Sequence, residues 1–217
     1  MNKLLDGGIE SGVITNFYGP AGTGKSNIAL LAAIAAVKAG KKVVFIDTEG
    51  SFANDRLVQM ADGTAKNVTD NMILFEPSDW DSQKEAIQKL RDVCIKEDIG
   101  LVIVDSIIAL WRITVTDDNA TEVNRELATQ LSVLANIARN LNIPVLITNQ
   151  VYSDIETGRV EMSARNIVKW WSKNIVELSH AGRTGCRTAT IKKARSQPED
   201  KIIEFEIVQN GLQEPAF

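Results

Sequence analysis

Residues 19–26 read GPAGTGKS and fit the pattern G-x-x-x-x-G-K-[ST], a loop that cradles phosphate groups. Each position has a mechanical reason. Gly19, Gly22 and Gly24 let the backbone bend until successive N–H groups point inward at phosphate oxygens. A helix starting near Lys25 adds its positive N-terminal end to the same anion. Lys25 supplies a point charge to the terminal phosphates, and the Ser26 hydroxyl is placed to ligate Mg²⁺. The loop follows "GVITNFYG" (12–19), which reads as a strand, and opens "KSNIALLAAIAAVKA" (25–39), a strong helix former that is apolar almost all round. That context separates a phosphate site from a chance match. The candidate nucleotide set is Gly19, Pro20, Ala21, Gly22, Thr23, Gly24, Lys25, Ser26 and Asn27, with ATP and Mg²⁺ as the expected ligands.

The rest of the chain alternates. Strand-like runs at 12–19, 41–50, 71–77, 100–106 and 143–151 are separated by helical patterns at 25–39, 53–61, from Asp79 or Ser78 to Lys96, and from Asn119 to Leu141. Such alternation predicts an α/β fold, a mostly parallel twisted sheet with helices on both faces. After about Ile175 the pattern changes to "CRTATIKKA" and "KIIEFEIV", which reads as an antiparallel pair closing the sheet. No internal repeat, low-complexity segment or linker interrupts the 217 residues, so a single domain over 1–217 is expected.

Phosphoryl transfer also needs a carboxylate for the metal and a group that orients or deprotonates the attacking water. Asp105 stands directly after the apolar run Leu101–Val104, where sheet ends face a ligand crevice. Asp47 and Glu49 end another strand in "FIDTEG", and Asn149 and Gln150 end a third in "LITNQV". Arg56 is a candidate to lie over the adenine, with exposed salt bridging as the simpler alternative.

The net charge of −4 argues against a chain coated uniformly for nucleic acid. The distribution qualifies this: residues 159–201 hold ten Lys/Arg against four Asp/Glu. One basic region on an acidic body suits nucleic acid at one edge, and equally suits a solvated face. Cys94 and Cys186 are too few for a disulfide framework or thiolate metal site and read as free thiols of a reducing cytoplasm. Neither a membrane span nor a secretory signal is visible, so a cytoplasmic location is expected.

Taken in order, "LLDGGIESGVITNFYGPAGTGKS", "VVFIDTEGSFANDRL", "LVIVDS", "IPVLITNQV" and "ARSQPEDKIIEFEIVQNGL" resemble the RecA/RadA recombinase family, and within it the short archaeal paralogues. The resemblance implies a RecA-type P-loop ATPase core. It further implies that Glu49 activates water, that Lys25 acts on the phosphates, and that Asp105 helps hold Mg²⁺ with Ser26. Gln150 would sense the γ-phosphate and couple it to DNA-binding loops at roughly Trp111 to Asp118 and Tyr152 to Ser163. Lys193 and Arg195 alternate at a strand end that the resemblance puts near a subunit boundary, where they would complete a neighbour's ATP site. Two solvated charges are the plainer reading.

Only about a dozen residues precede the first core strand. The expectation is therefore a core without the family's N-terminal DNA-binding domain and linker docking motif. That favours an accessory or mediator role in homologous recombination and DNA repair, with weak ATPase activity. DNA, a recombinase or other repair protein, and weakly a second copy are the implied partners. A regulatory assembly ATPase of the clock-protein type acting on proteins, or a non-catalytic ATP-binding module, are the competing readings.

Trp111 and Arg112 are candidates to stack on bases and reach phosphates, with burial of Trp111 as the alternative. Lys169 and Lys173 are candidates for DNA or partner contact beside Trp170 and Trp171, of which one is expected in the core and one at a surface. His180 has no companion ligand at metal spacing, so a structural or solvated role is expected.

Overall fold

The computed structural model describes residues 2–153, 160–161 and 164–215. In chain order the elements are α1 (Asn2–Leu5), β1 (Ile14–Gly19), α2 (Lys25–Lys38), β2 (Lys42–Asp47), α3 (Asn54–Ala61), α4 (Ala65–Asp70), β3 (Met72–Phe75), α5 (Trp80–Lys96), β4 (Ile99–Asp105) and α6 (Ala109–Thr114). They continue as α7 (Ala120–Leu141), β5 (Val145–Gln150), β6 (Tyr152–Ser153), β7 (Val160–Glu161), α8 (Arg165–Trp171), β8 (Asn174–His180), β9 (Cys186–Lys193), β10 (Ile202–Val208) and β11 (Gly211–Gln213).

The main sheet runs β11-β10-β9-β8-β1-β5-β4-β2-β3. From β3 to β8 neighbours pair parallel, and from β8 to β11 antiparallel. Strand side chains alternate between faces, and two cores result. Val43, Phe45, Leu101 and Ile103 pack under α2, α3 and α4, whereas Val44, Ile46, Val102 and Val104 pack against α5 and α7. Because β2 and β4 are covered on both faces, they read as continuous apolar runs. Helix α2 buries Ile28, Ala29, Leu30, Ala33, Ile34 and Val37, and its alanines let it lie close to the strands. Each fully buried Ile or Leu there contributes about 1.5–3 kcal/mol of apolar burial. Asp79 caps α5, accepting from Ser82 N at 2.8 Å while Ser82 Oγ accepts from Asp79 N at 3.2 Å.

Two features differ from expectation. The antiparallel region is larger than a pair, because β8 precedes it and lies parallel to β1, with Thr15 opposite Asn174 and Tyr18 opposite Glu177. The "NIVELSH" run is broken by the charge of Glu177, which Lys192 on β9 pairs at 3.2 Å. The segment expected as a loop from Trp111 to Asp118 begins instead as α6, which ends at Thr114. Of the other expected loop, residues 154–159 and 162–163 lie outside the described residues. Cys94 and Cys186 are free and buried. Among the described residues no helix is long and apolar enough to cross a membrane.

Candidate functional site

The sheet order brings the polar strand ends together. β1, β5, β4 and β2 are consecutive neighbours, and their carboxyl ends all open on one side. A pocket of about 250 Å³ there is lined by Ala21, Gly22, Gly24, Lys25, Ser26, Asn27, Glu49, Asp105, Gln150 and Ile207. Candidates from four strand ends therefore converge on one space. Asp47 and Asn149 are the exceptions: both are buried outside its lining, while Glu49 and Gln150 near them reach the pocket.

The loop leaves β1 at Gly19, where a Cβ would fall 2.2 Å from the carbonyl oxygen of Leu178 on β8. Only glycine fits that approach. Gly24, at φ 99°, turns the chain into α2. Inside the loop the Thr23 hydroxyl donates to Pro20 O at 2.8 Å. Lys25 Nζ donates to Gly19 O at 3.0 Å and to Pro20 O at 2.8 Å, so its ammonium lies over the loop. Burial lowers the Lys25 pKa from its ordinary value, and the negative charges of Glu49 and Asp105 partly oppose that shift. A weakly hydrated ammonium is suited to exchanging carbonyl partners for phosphate oxygens.

Asp105 is only 2% exposed. Burial raises its pKa above the usual carboxylate range, hydrogen bonds from Thr148 and Ser26 counteract this, and nearby Glu49 and Asp47 add to the rise. Thr148 donates to Oδ1, whereas Oδ2 makes no hydrogen bond of good geometry. A buried carboxylate oxygen in need of a partner, beside the Ser26 hydroxyl, fits Mg²⁺. No cluster of three or more carboxylate, histidine or cysteine ligands exists among the described residues. Mg²⁺ keeps several waters and uses one or two carboxylates with substrate phosphates, so the donor set it asks of a protein is as small as Asp105 with Ser26.

Glu49 is held in place by its neighbour. Asp47 Oδ1 accepts from Glu49 N at 3.1 Å and Oδ2 from Phe52 N at 2.7 Å, which folds the turn after β2. The Thr48 hydroxyl donates to Ser106 O at 2.7 Å and accepts from Ser106 N at 3.0 Å, tying the ends of β2 and β4. Gln150 stands opposite Gly19 in the β1–β5 ladder.

Other candidates lie elsewhere. Arg56 forms no carboxylate ion pair among the described residues. Its Nε donates to Asn27 Oδ1 at 2.7 Å, Nη1 to Gln59 Oε1 and Gln209 O, and Nη2 to Val208 O at 2.8 Å, joining α2, α3 and the β10–β11 turn. Trp111 is half-buried and its Nε1 donates to Asn124 Oδ1 at 3.1 Å. Arg112, one residue further on α6, is close enough to Lys25 for its charge to be felt there.

Lys169, Trp170, Lys173 and Lys193 line a separate open groove with Asn166, about 490 Å³ in volume. Trp170 is 77% exposed, whereas Trp171 packs against the core. Lys193 Nζ donates to Ser172 O at 2.8 Å, a cation at the carbonyl end of α8. Its pKa is lowered by burial, and further by the like charges of Lys173 and Lys169. Arg195 lies beyond the end of β9 and pairs Glu10 at 3.5 Å.

Two side chains of the β8–β9 hairpin hydrogen-bond the phosphate loop, and neither stood out in the sequence as a site residue. His180 Nε2 lies 3.2 Å from Ala21 O, and Arg187 reaches Gly22 O at 3.3 Å. In the sequence His180 reads as a lone histidine and Arg187 as one cation of a strand-like run, and neither marks a contact with the loop.

Comparison with known proteins agrees with this geometry. A family model described as Rad51 matches residues 1–215. A protein of Methanococcoides burtonii called DNA repair and recombination protein RadB is 42% identical over 213 residues, covering 98% of this chain and 93% of that protein. Its namesake from Methanobrevibacter smithii is 38% identical over 217 residues, covering 98% and 92%. A solved structure, the crystal structure of the RadB recombinase, superimposes with a TM-score of 0.84 at 35% identity, covering 99% of this chain and 96% of that one. With the phosphate loop, Glu49, Asp105 and Gln150 meeting at one end of such a sheet and the match spanning nearly every residue, the chain belongs to the Rad51 family.

Proposed function

We propose that this chain is an ATP- and DNA-binding recombinase paralogue that hydrolyses ATP slowly and acts as an accessory protein in homologous recombination and DNA repair. The convergence of Lys25, Ser26, Glu49, Asp105 and Gln150 in one pocket carries the reading. The names of the relatives support the recombination and repair role. Residues 1–217 work in this reading as one ATPase core.

The loop N–H groups and the N-terminus of α2 bind the phosphates, and Lys25 turns its ammonium from loop carbonyls to the terminal phosphate oxygens. Ser26 and Asp105 would hold Mg²⁺, which supplies neutralisation of the phosphate charge. Glu49, fixed by Asp47, orients the attacking water and takes its proton. Gln150, at the end of the strand paired with β1, senses the terminal phosphate and passes that state to the segment after β5.

DNA binding rests on the groove of Lys169, Lys173 and Trp170, in which lysines repel one another and an indole is free to stack. Trp111 and Arg112 are secondary contacts. Completion of the site in trans rests on Lys193 and Arg195. Lys193 stands opposite Ile175, itself opposite Asn16, so it is near the amino end of β1, on the order of 10 Å along the strand from the loop, and Arg195 follows it to Glu10. In this reading they serve another copy's nucleotide.

The test is Lys25→Ala in titration calorimetry with ATP and Mg²⁺. The variant should keep its fold and lose most ATP affinity. Equal affinity in the variant would sink the assignment of the loop.

A further inference from the structure

The middle of the phosphate loop is gripped from outside by the β8–β9 hairpin. His180 Nε2 lies 3.2 Å from Ala21 O, and Arg187 Nε and Nη2 each donate to Gly22 O at 3.3 Å. The two residues stand opposite each other in the β8–β9 ladder, so both contacts come from one cross-strand pair. Because Ala21 O is an acceptor, the His180 ring serves it as a donor, with the proton on Nε2. Further along β8, Leu178 O abuts Gly19, so the same strand meets the loop at its start and at its tip.

The consequence follows from the peptide group. A trans peptide is planar, and its C=O and N–H point in opposite directions. Ala21 O shares a plane with the N–H of Gly22, and Gly22 O shares one with the N–H of Thr23. Drawing both carbonyls outward therefore turns two successive N–H groups inward, toward the pocket lined by Ala21, Gly22, Gly24, Lys25 and Ser26. The loop needs such help. Gly22 and Gly24 have φ of 73° and 99°, and a glycine-bearing loop has many other conformations to visit. Lys25 and Thr23 hold the loop from inside through Gly19 O and Pro20 O, which leaves the orientation of the next two peptides to the hairpin.

We propose that His180 and Arg187 are positioning residues for nucleotide binding, a latch that keeps the phosphate loop with its N–H groups aimed at the phosphates before ATP arrives. Preorganisation of this kind raises affinity by removing the ordering cost from the binding step. Neither residue touches the nucleotide; both act through the backbone of Ala21 and Gly22. The proposal rests on the reading of this loop as the ATP site.

The test compares wild type, His180→Ala with Arg187→Ala, each single change, and His180→Gln with Arg187→Lys, which keeps donors at both positions. The double alanine variant should bind ATP and ADP about tenfold more weakly, the scale of losing well-aimed hydrogen bonds to a charged ligand. Its turnover at saturating ATP should stay near wild type, so that the loss appears in KM. The Gln/Lys variant should recover most of the affinity, and the ligand-free melting temperature should move little. In nitrogen-15 spectra the Gly22 and Thr23 amides should shift downfield on ATP addition in wild type and much less in the alanine variant. If wild type itself binds no ATP, the reading of the loop fails. If wild type binds and the alanine variant binds within a factor of two, the latch alone fails. A loss of affinity that Gln and Lys do not restore, or that tracks a fallen melting temperature, likewise overturns it. Should the double variant not fold, the single variants decide by the same measures.

Discussion

The hydroxyl of Thr148 on β5 donates to Oδ1 of Asp105 on β4, so a carboxylate buried at the carboxyl end of its strand is held by the neighbouring strand. The cost of burial remains, because the Asp105 pKa is raised by desolvation and by Glu49 and Asp47 despite this bond. A carboxyl whose folded pKa exceeds its unfolded value favours the fold below the unfolded pKa, and that support is lost as pH rises through the folded pKa. Ionisation of Asp105 therefore costs the ligand-free protein stability as pH rises. Asp105→Asn should raise the ligand-free melting temperature at pH 7 by a few degrees, roughly 1 kcal/mol for a chain of this size. The gain should vanish near pH 4. The same variant should lose Mg²⁺-dependent turnover. Thermal melts across pH check the first part, and a gain independent of pH would refute it.

Glu49 lines the pocket with its backbone N–H fixed by Asp47. Glu49→Gln keeps the shape and removes the base. ATP affinity should remain near wild type while turnover falls by on the order of a hundredfold. Single-turnover phosphate release measures it, and unchanged turnover would move the water-activating role elsewhere.

The lysine groove makes a different kind of claim. Charge reversal at Lys169 and Lys173 should weaken DNA binding on all sequences alike and flatten its salt dependence, because contacts to phosphates act by counterion release. Trp170→Ala should weaken single-stranded DNA more than duplex, since only unpaired bases stack on an indole. Binding that ignores salt would assign the groove to a protein partner instead.

If Lys193 and Arg195 complete a neighbour's site, specific ATPase activity should be low when dilute and rise with protein concentration or added DNA. Lys193→Ala with Arg195→Ala should abolish the rise and leave the dilute ATP affinity unchanged. Lys193 also caps α8, so the variant loses about 0.3–1 kcal/mol of stability that a melting curve will register separately. Activity per molecule that stays flat from nanomolar to high micromolar would refute action in trans.

The phosphate loop, the alternation of strands and helices and the polar strand ends were all legible in the one-dimensional order. Gly19, Lys25 and Ser26 are adjacent or nearly so, and a local pattern is what a sequence displays. Helix α5 could be read to its cap because Asp79 and Ser82 act within one turn. What the order of residues did not display was pairing across the sheet. The "NIVELSH" run became a parallel strand because it paired with β1, and Glu177 was tolerated there because the Lys192 ammonium on β9 reached it. Arg56 looked like a surface cation, yet its partners are an amide 29 residues away and carbonyls more than 150 residues away. His180 and Arg187 met the phosphate loop from more than 150 residues downstream. Local chemistry and periodicity are properties of neighbours in the chain, so the sequence by itself determined the loop, its helix and the fold class. Which distant side chains turn that loop's peptides depends on strand order and register, which only the closing of the sheet decided.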